Sequence, residues 1–126
     1  VPSPNPQARY RLTDADKHTV RTELRNILIQ AARNREILTY SELCQRLSSV
    51  HVHPHSFVFT HLLRQVCEAE IERGSGMLCA LVVSRTTGIP GSGYFRTAAE
   101  QGRNGDDLVA LWQADVESVF ARWADA

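Results

Sequence analysis

The sequence predicts an α+β, winged-helix-like domain: a helix-turn-helix followed by a two-stranded β-hairpin and a C-terminal helix. Three observations predict it. Apolar residues recur at helical spacing on both sides of a proline-containing turn near residues 51–56. Residues 77–83 form a near-continuous apolar run of strand length. Gly88-Ile89-Pro90-Gly91-Ser92-Gly93 then supplies hairpin-turn glycines, and Tyr94-Phe95 the returning strand.

The elements follow in order. Residues 1–12, with three prolines in the first seven, are expected to be an extended tail or linker to a single domain at 13–126. The first helix is expected over 13–35, capped by Thr13 or Asp14, with Val20, Leu24, Ile27, Leu28 and Ala31 on one stripe. A short strand at 37–40 leads to a second helix capped by Ser41. Pro54 breaks the chain, and Ser56 caps a third helix over 56–73, ended by Gly74 and Gly76. Its inner stripe is Phe59, Leu62, Leu63, Val66 and Ala69. One helical turn is expected at 97–101. The last helix runs over 108–124, with Leu108, Leu111, Trp112, Asp115, Val116, Val119, Phe120 and Trp123 on the buried side.

At 126 residues and 43% hydrophobic, the chain can build one core. Its 14 basic and 14 acidic residues cancel, which excludes a protein drawn to polyanions by net charge alone. The charges are unevenly placed. Up to Arg64 there are nine basic against five acidic residues, a net of +4, and the remainder carries −4. One basic face can form. Cys44, Cys67 and Cys79 lie in apolar surroundings and read as buried free thiols in a reducing compartment. No run approaches the roughly 18 apolar residues of a membrane span, and no charged-then-apolar leader opens the chain. A cytoplasmic protein without membrane attachment is expected.

Two motifs bring a family to the page. Thr39-Tyr40-Ser41-Glu42-Leu43 resembles the T-Y-G-E-[LI] segment of the DNA-binding domain of alkylguanine-DNA alkyltransferases and the alkyltransferase-like proteins. The run from Met77 to Val83 and the glycine loop ending Gly93-Tyr94-Phe95 are similar to that family's active-site strand and wing, with Cys79 where the alkyl-accepting cysteine falls. The resemblance covers roughly residues 37–96. It implies a winged-helix fold and DNA binding. It does not imply alkyl transfer, because Ala80 and Leu81 stand where Pro-Cys-His-Arg has its histidine and arginine, and Leu78 where it has proline. The third helix and the glycine loop are also similar to uncharacterised small bacterial proteins with an ALVV…G-x-P-G-x-G-[YF] pattern.

The candidate nucleic-acid contacts are of two groups. Ser56, Thr60, His61, Arg64 and Gln65 are the outward residues of the third helix's first half, of types that reach phosphates and base edges. Arg85, Thr86, Thr87, Ser92 and Arg96 belong to the expected wing. His51, His53 and His55 alternate and are weak metal candidates, with no nearby carboxylate or free thiolate to complete a site. The glycine loop lacks the Walker lysine, contains Pro90, and is expected to precede a strand, which argues against a phosphate cradle. Cys79 has apolar neighbours that predict an inert thiol. The leading expectation is a non-enzymatic nucleic-acid-binding module without cofactor, with DNA preferred over RNA. A protein–protein adaptor on the same fold is the alternative, with a homodimer through the C-terminal helix as one form. A small metal- or nucleotide-dependent enzyme ranks below both.

Overall fold

The computed structural model describes residues 12–124. All of the expected tail except Leu12 lies outside them. The described residues are α+β, with five α-helices and one two-stranded parallel sheet. The helices are α1 (Asp14–Arg33), α2 (Tyr40–Gln45), α3 (Phe57–Glu72), α4 (Ser92–Glu100) and α5 (Leu108–Trp123). Strands β1 (Leu38–Thr39) and β2 (Val82–Val83) pair Leu38 with Val82 and Thr39 with Val83.

Local chemistry fixes the helix ends. Thr13 and Asp16 form a capping box at α1, and Thr39 and Glu42 repeat it at α2. The second cap is therefore Thr39, two residues before the expected Ser41, because only Thr39 has a glutamate three residues on. Ser56 caps α3 as expected, its Oγ accepting the Phe59 N–H at 3.2 Å. Asp107 caps α5. At the other end of α3, the N–H of Ser75 returns to the Glu70 carbonyl and that of Gly74 to Ile71, with Gly74 at φ +77°. This is the Schellman arrangement. α1 ends the same way, but its left-handed position is held by Arg35 at φ +53°.

The core gathers Leu24 and Leu28 of α1, Phe59 and Leu62 of α3, and Val119 and Phe120 of α5 around residues 77–83. That apolar run is buried throughout, yet most of it is not a strand. Leu78–Leu81 forms a 3₁₀ turn, and only Val82–Val83 is extended. A continuous apolar run demands burial but carries no period to separate a strand from a buried turn. The Ala80 carbonyl that a strand partner would have used instead accepts the Trp112 Nε1–H at 2.7 Å.

The expected hairpin is corrected. β2 pairs in parallel with β1, and Tyr94 and Phe95 lie in α4. Residues 84–89 close on themselves, with the Ser84 N–H donating to the Ile89 carbonyl at 2.9 Å and the Gly88 N–H to the Ser84 carbonyl at 2.8 Å. The chain then enters α4 through Gly91. Tyr94, Thr97 and Ala98 are the buried residues of α4, at i, i+3 and i+4, a helical stripe that outweighs the strand propensity of the Tyr-Phe pair.

On α5, Trp112, Val116, Val119 and Phe120 are buried as expected, whereas Leu108 is 45% exposed in the first turn. Asp115 is buried because Tyr94 donates its hydroxyl to one carboxylate oxygen and Arg103 pairs with the other. Burial and the carboxylate together push the Tyr94 phenol well above its ordinary value. Glu70, which sequence reading left outside the inner stripe of α3, is fully buried between Arg25 of α1 and Arg73. No helix among the described residues is long and apolar enough to cross a membrane.

Candidate functional site

A cavity of about 510 Å³ opens between α3 and the N-terminus of α4. From the α3 side it is bordered by Phe57, Thr60, His61 and Arg64. From the α4 side it is bordered by Gly91, Ser92, Gly93 and Arg96. Tyr40, the first residue of α2, stands between the two walls, and Cys67 and Cys79 reach it from the core.

Each wall is held by a specific contact. Tyr40 Oη accepts the Gly91 N–H at 2.9 Å, which anchors the entry to α4. Burial raises the Tyr40 phenol above its ordinary pKa, so it stays protonated at neutral pH. Arg64 pairs with Glu68 at 3.0 Å on its own helix and reaches Glu100 of α4 at 3.8 Å. Its guanidinium is thus partly neutralised and bridges the two helices. Arg96 is exposed and carries no ion pair among the described residues. As the first two residues of α4, Ser92 and Gly93 have amides with no intrahelical acceptor. They give this wall a positive electrostatic end.

The rim carries the least expected feature. Phe57 is 87% exposed, and its ring lies 6.4 Å from that of His61 with only 4° between the planes. One helical turn separates the two residues, so α3 presents them as parallel plates.

Five of the ten expected contact residues converge here: Thr60, His61, Arg64, Ser92 and Arg96. The other five do not. Ser56 is spent on the cap of α3, its hydroxyl also donating to the His53 carbonyl at 2.7 Å. Gln65 is half-buried and accepts from Arg21 at 3.0 Å. Arg85, Thr86 and Thr87 lie exposed on the closed 84–89 turn, where Ser84 and Thr87 side chains bond its own backbone. That turn is not the β-wing for which these three were chosen. The histidines part company: His51 and His53 border a second cavity of about 220 Å³, while His55 borders the first. Among the described residues no three His, Cys, Asp or Glu side chains gather as metal ligands.

Sequence reading sets Phe57 outward on the third helix without choosing it as a contact, and does not place Tyr40 or Cys67 at the cleft. An aromatic residue at the first position after a cap, facing away from the inner stripe, was the available signal for Phe57. The objection to the glycine loop as an anion cradle also loses one of its grounds, since a helix follows it. Pro90 and the missing Walker lysine remain. No protein-family model, curated protein or solved structure matches this chain.

Proposed function

We propose that this chain is a nucleic-acid-binding module whose contact surface is the cleft between α3 and α4. The observation that carries the reading is the Phe57 ring, almost wholly exposed and parallel to His61 at the cleft's rim. An exposed aromatic plate beside arginine and unpaired helix amides matches the chemistry of an unpaired nucleotide. The base stacks on the ring, and the phosphate meets cations and N–H donors. Arg96 and the Ser92 and Gly93 amides are the phosphate side, Phe57 and His61 the base side, and Thr60 a polar contact between them.

The helix order α1–β1–α2–α3 supports reading α2 and α3 as the helix-turn-helix of a winged-helix relative, α3 being the recognition helix. The likeness of Thr39-Tyr40-Ser41-Glu42-Leu43 to alkyltransferase DNA-binding domains points the same way. Alkyl transfer is not part of the proposal, because Cys79 is buried with its pKa raised and lacks the adjacent histidine. The cleft offers phosphates Arg96, a partly neutralised Arg64 and two helix amides, which predicts a modest salt dependence.

The test is fluorescence anisotropy with labelled single- and double-stranded DNA and RNA of one sequence, at about 50 and about 200 mM salt. Binding is expected to favour single strands or unpaired bases and to weaken with salt. Phe57→Ala is expected to weaken it about 5- to 150-fold, the loss of one stacked base at ~1–3 kcal/mol. Absence of binding at low salt, or indifference to Phe57→Ala, overturns the reading. The exposed ring would then belong to a protein partner, the adaptor alternative.

A further inference from the structure

We propose that Cys67 and Cys79 form a redox-active dithiol at the base of the α3–α4 cleft, which a hydroperoxide entering the cleft converts to an intramolecular disulfide. Three observations carry this. Both residues border the same cavity, although they come from different elements, α3 and the 3₁₀ turn. The Cys79 Sγ lies 3.6 Å from the Leu63 carbonyl, to which it donates. That carbonyl sits one helical turn before Cys67, so the Cys79 sulfur rests against the turn that carries its partner. Finally, both cysteines are free and buried, facing the cavity from its core side and not from the open surface.

The two sulfurs are not equivalent. Contact with Cys79 holds the Cys67 thiol below its ordinary pKa, against the opposing effect of burial. Cys79 is pushed well above, by the same contact and by burial. The Cys79 thiol is engaged with the Leu63 carbonyl, which assigns Cys67 as the nucleophile and Cys79 as the resolving thiol.

The Cys67 thiolate attacks the distal peroxide oxygen. The O–O bond breaks, the departing oxygen takes a proton, and Cys67 becomes a sulfenic acid. The Cys79 sulfur then attacks the Cys67 sulfur; an S–S bond forms, the S–O bond breaks, and the hydroxyl leaves as water with the Cys79 proton. Two thiols lose two electrons and the peroxide gains them, ending as two oxygen-hydride products, water and either water or an alcohol. Cys44 serves as an internal control: burial alone pushes its thiol up to about 11, and it does not border the cleft.

The experiment treats the reduced full chain with hydrogen peroxide, quenches it, denatures it and blocks remaining thiols with N-ethylmaleimide. Expected is one maleimide per chain, on Cys44, with tryptic peptides 65–73 and 74–85 joined and dithiothreitol restoring three reactive thiols. Three maleimides after peroxide, or a linkage through Cys44 or between chains, overturns the proposal. In Cys79→Ser, dimedone is expected to trap a sulfenic acid on Cys67; in Cys67→Ser, Cys79 is expected to stay unlabelled. The opposite labelling pattern overturns the assignment of nucleophile. The unsubstituted chain decides the disulfide itself, whatever either variant does to folding.

Discussion

The hydroxyl of Tyr40 accepts the backbone N–H of Gly91 at 2.9 Å, joining residues 51 positions apart. The bond ties the start of α2 to the start of α4 at the cleft. Tyr40→Phe keeps the ring and removes the acceptor. It is expected to cost about 0.5–1.5 kcal/mol in urea unfolding and to weaken any ligand that needs the α4 amides in place. An unchanged urea midpoint would mean that water replaces the hydroxyl at no cost. Gly91→Ala probes the same contact from the other side, since its Cβ would come to 3.3 Å from that oxygen. The hydroxyl must then yield by a few tenths of an ångström.

Gly93 separates folding from binding. It lies in the first turn of α4 and borders the cleft, yet a Cβ there meets nothing within 4 Å. Gly93→Ala is expected to raise stability by about 0.5 kcal/mol through lower unfolded-state entropy and better helix propensity. The same methyl intrudes where a phosphate would approach the amide. Thermal unfolding and anisotropy measured on one sample should therefore move in opposite directions. Binding unaffected by the methyl would remove the α4 amides from the contact surface.

Arg35 occupies a left-handed position that most helix ends give to glycine. Its side chain has compensations, pairing with Glu117 at 2.9 Å and lying 4.8 Å from the Phe120 ring centre. Arg35→Ala and Arg35→Gly lose these contacts equally, so their difference reports the backbone alone. The glycine variant is expected to be the more stable by about 1 kcal/mol. Equal unfolding midpoints would show that the backbone relaxes away from positive φ.

Acid should unlatch the segment after α2. Glu23 of α1 accepts the N–H groups of Ser48 and Ser49 at 3.0 and 3.1 Å and both serine hydroxyls. These bonds, the Ser49 hydroxyl foremost, lower its pKa to about 2 from 4.5. Because the folded value is the depressed one, the stabilisation is complete above about pH 4.5 and is lost as pH falls towards 2. Glu23→Gln should be less stable than the parent at neutral pH and should converge with it in acid. A gap between the two that stays constant from about pH 6 to about pH 3 would contradict this.

Helices were legible in the sequence wherever period and cap agreed. For α1 and α3, the apolar stripe and the Thr13 and Ser56 caps fix type, face and start. Residues 77–95 were misread for a physical reason. The apolar run specifies burial without geometry, and the parallel pairing of β1 with β2 is a long-range choice that leaves no local mark. The Tyr94-Thr97-Ala98 spacing was the available correction, outweighed by glycine-loop expectations. Of the site, the polar and cationic residues could be named from composition and placement. Tyr40 and Cys67 could not, because their roles depend on contacts with Gly91 and Cys79 made through the fold.

The 3₁₀ turn at Leu78–Leu81 sets an order of assembly. α1, α3 and α5 all pack on it, α1 and α5 also pack on each other, and Trp112 holds its Ala80 carbonyl. On the ribosome, the first three helices emerge long before α5 and have no complete apolar partner until it arrives. Through that interval the half-made chain leaves the α5-facing side of its most hydrophobic segment uncovered. A chain stopped after α4 would keep that exposure permanently, which makes the unfinished polypeptide a natural client for chaperones that bind apolar segments.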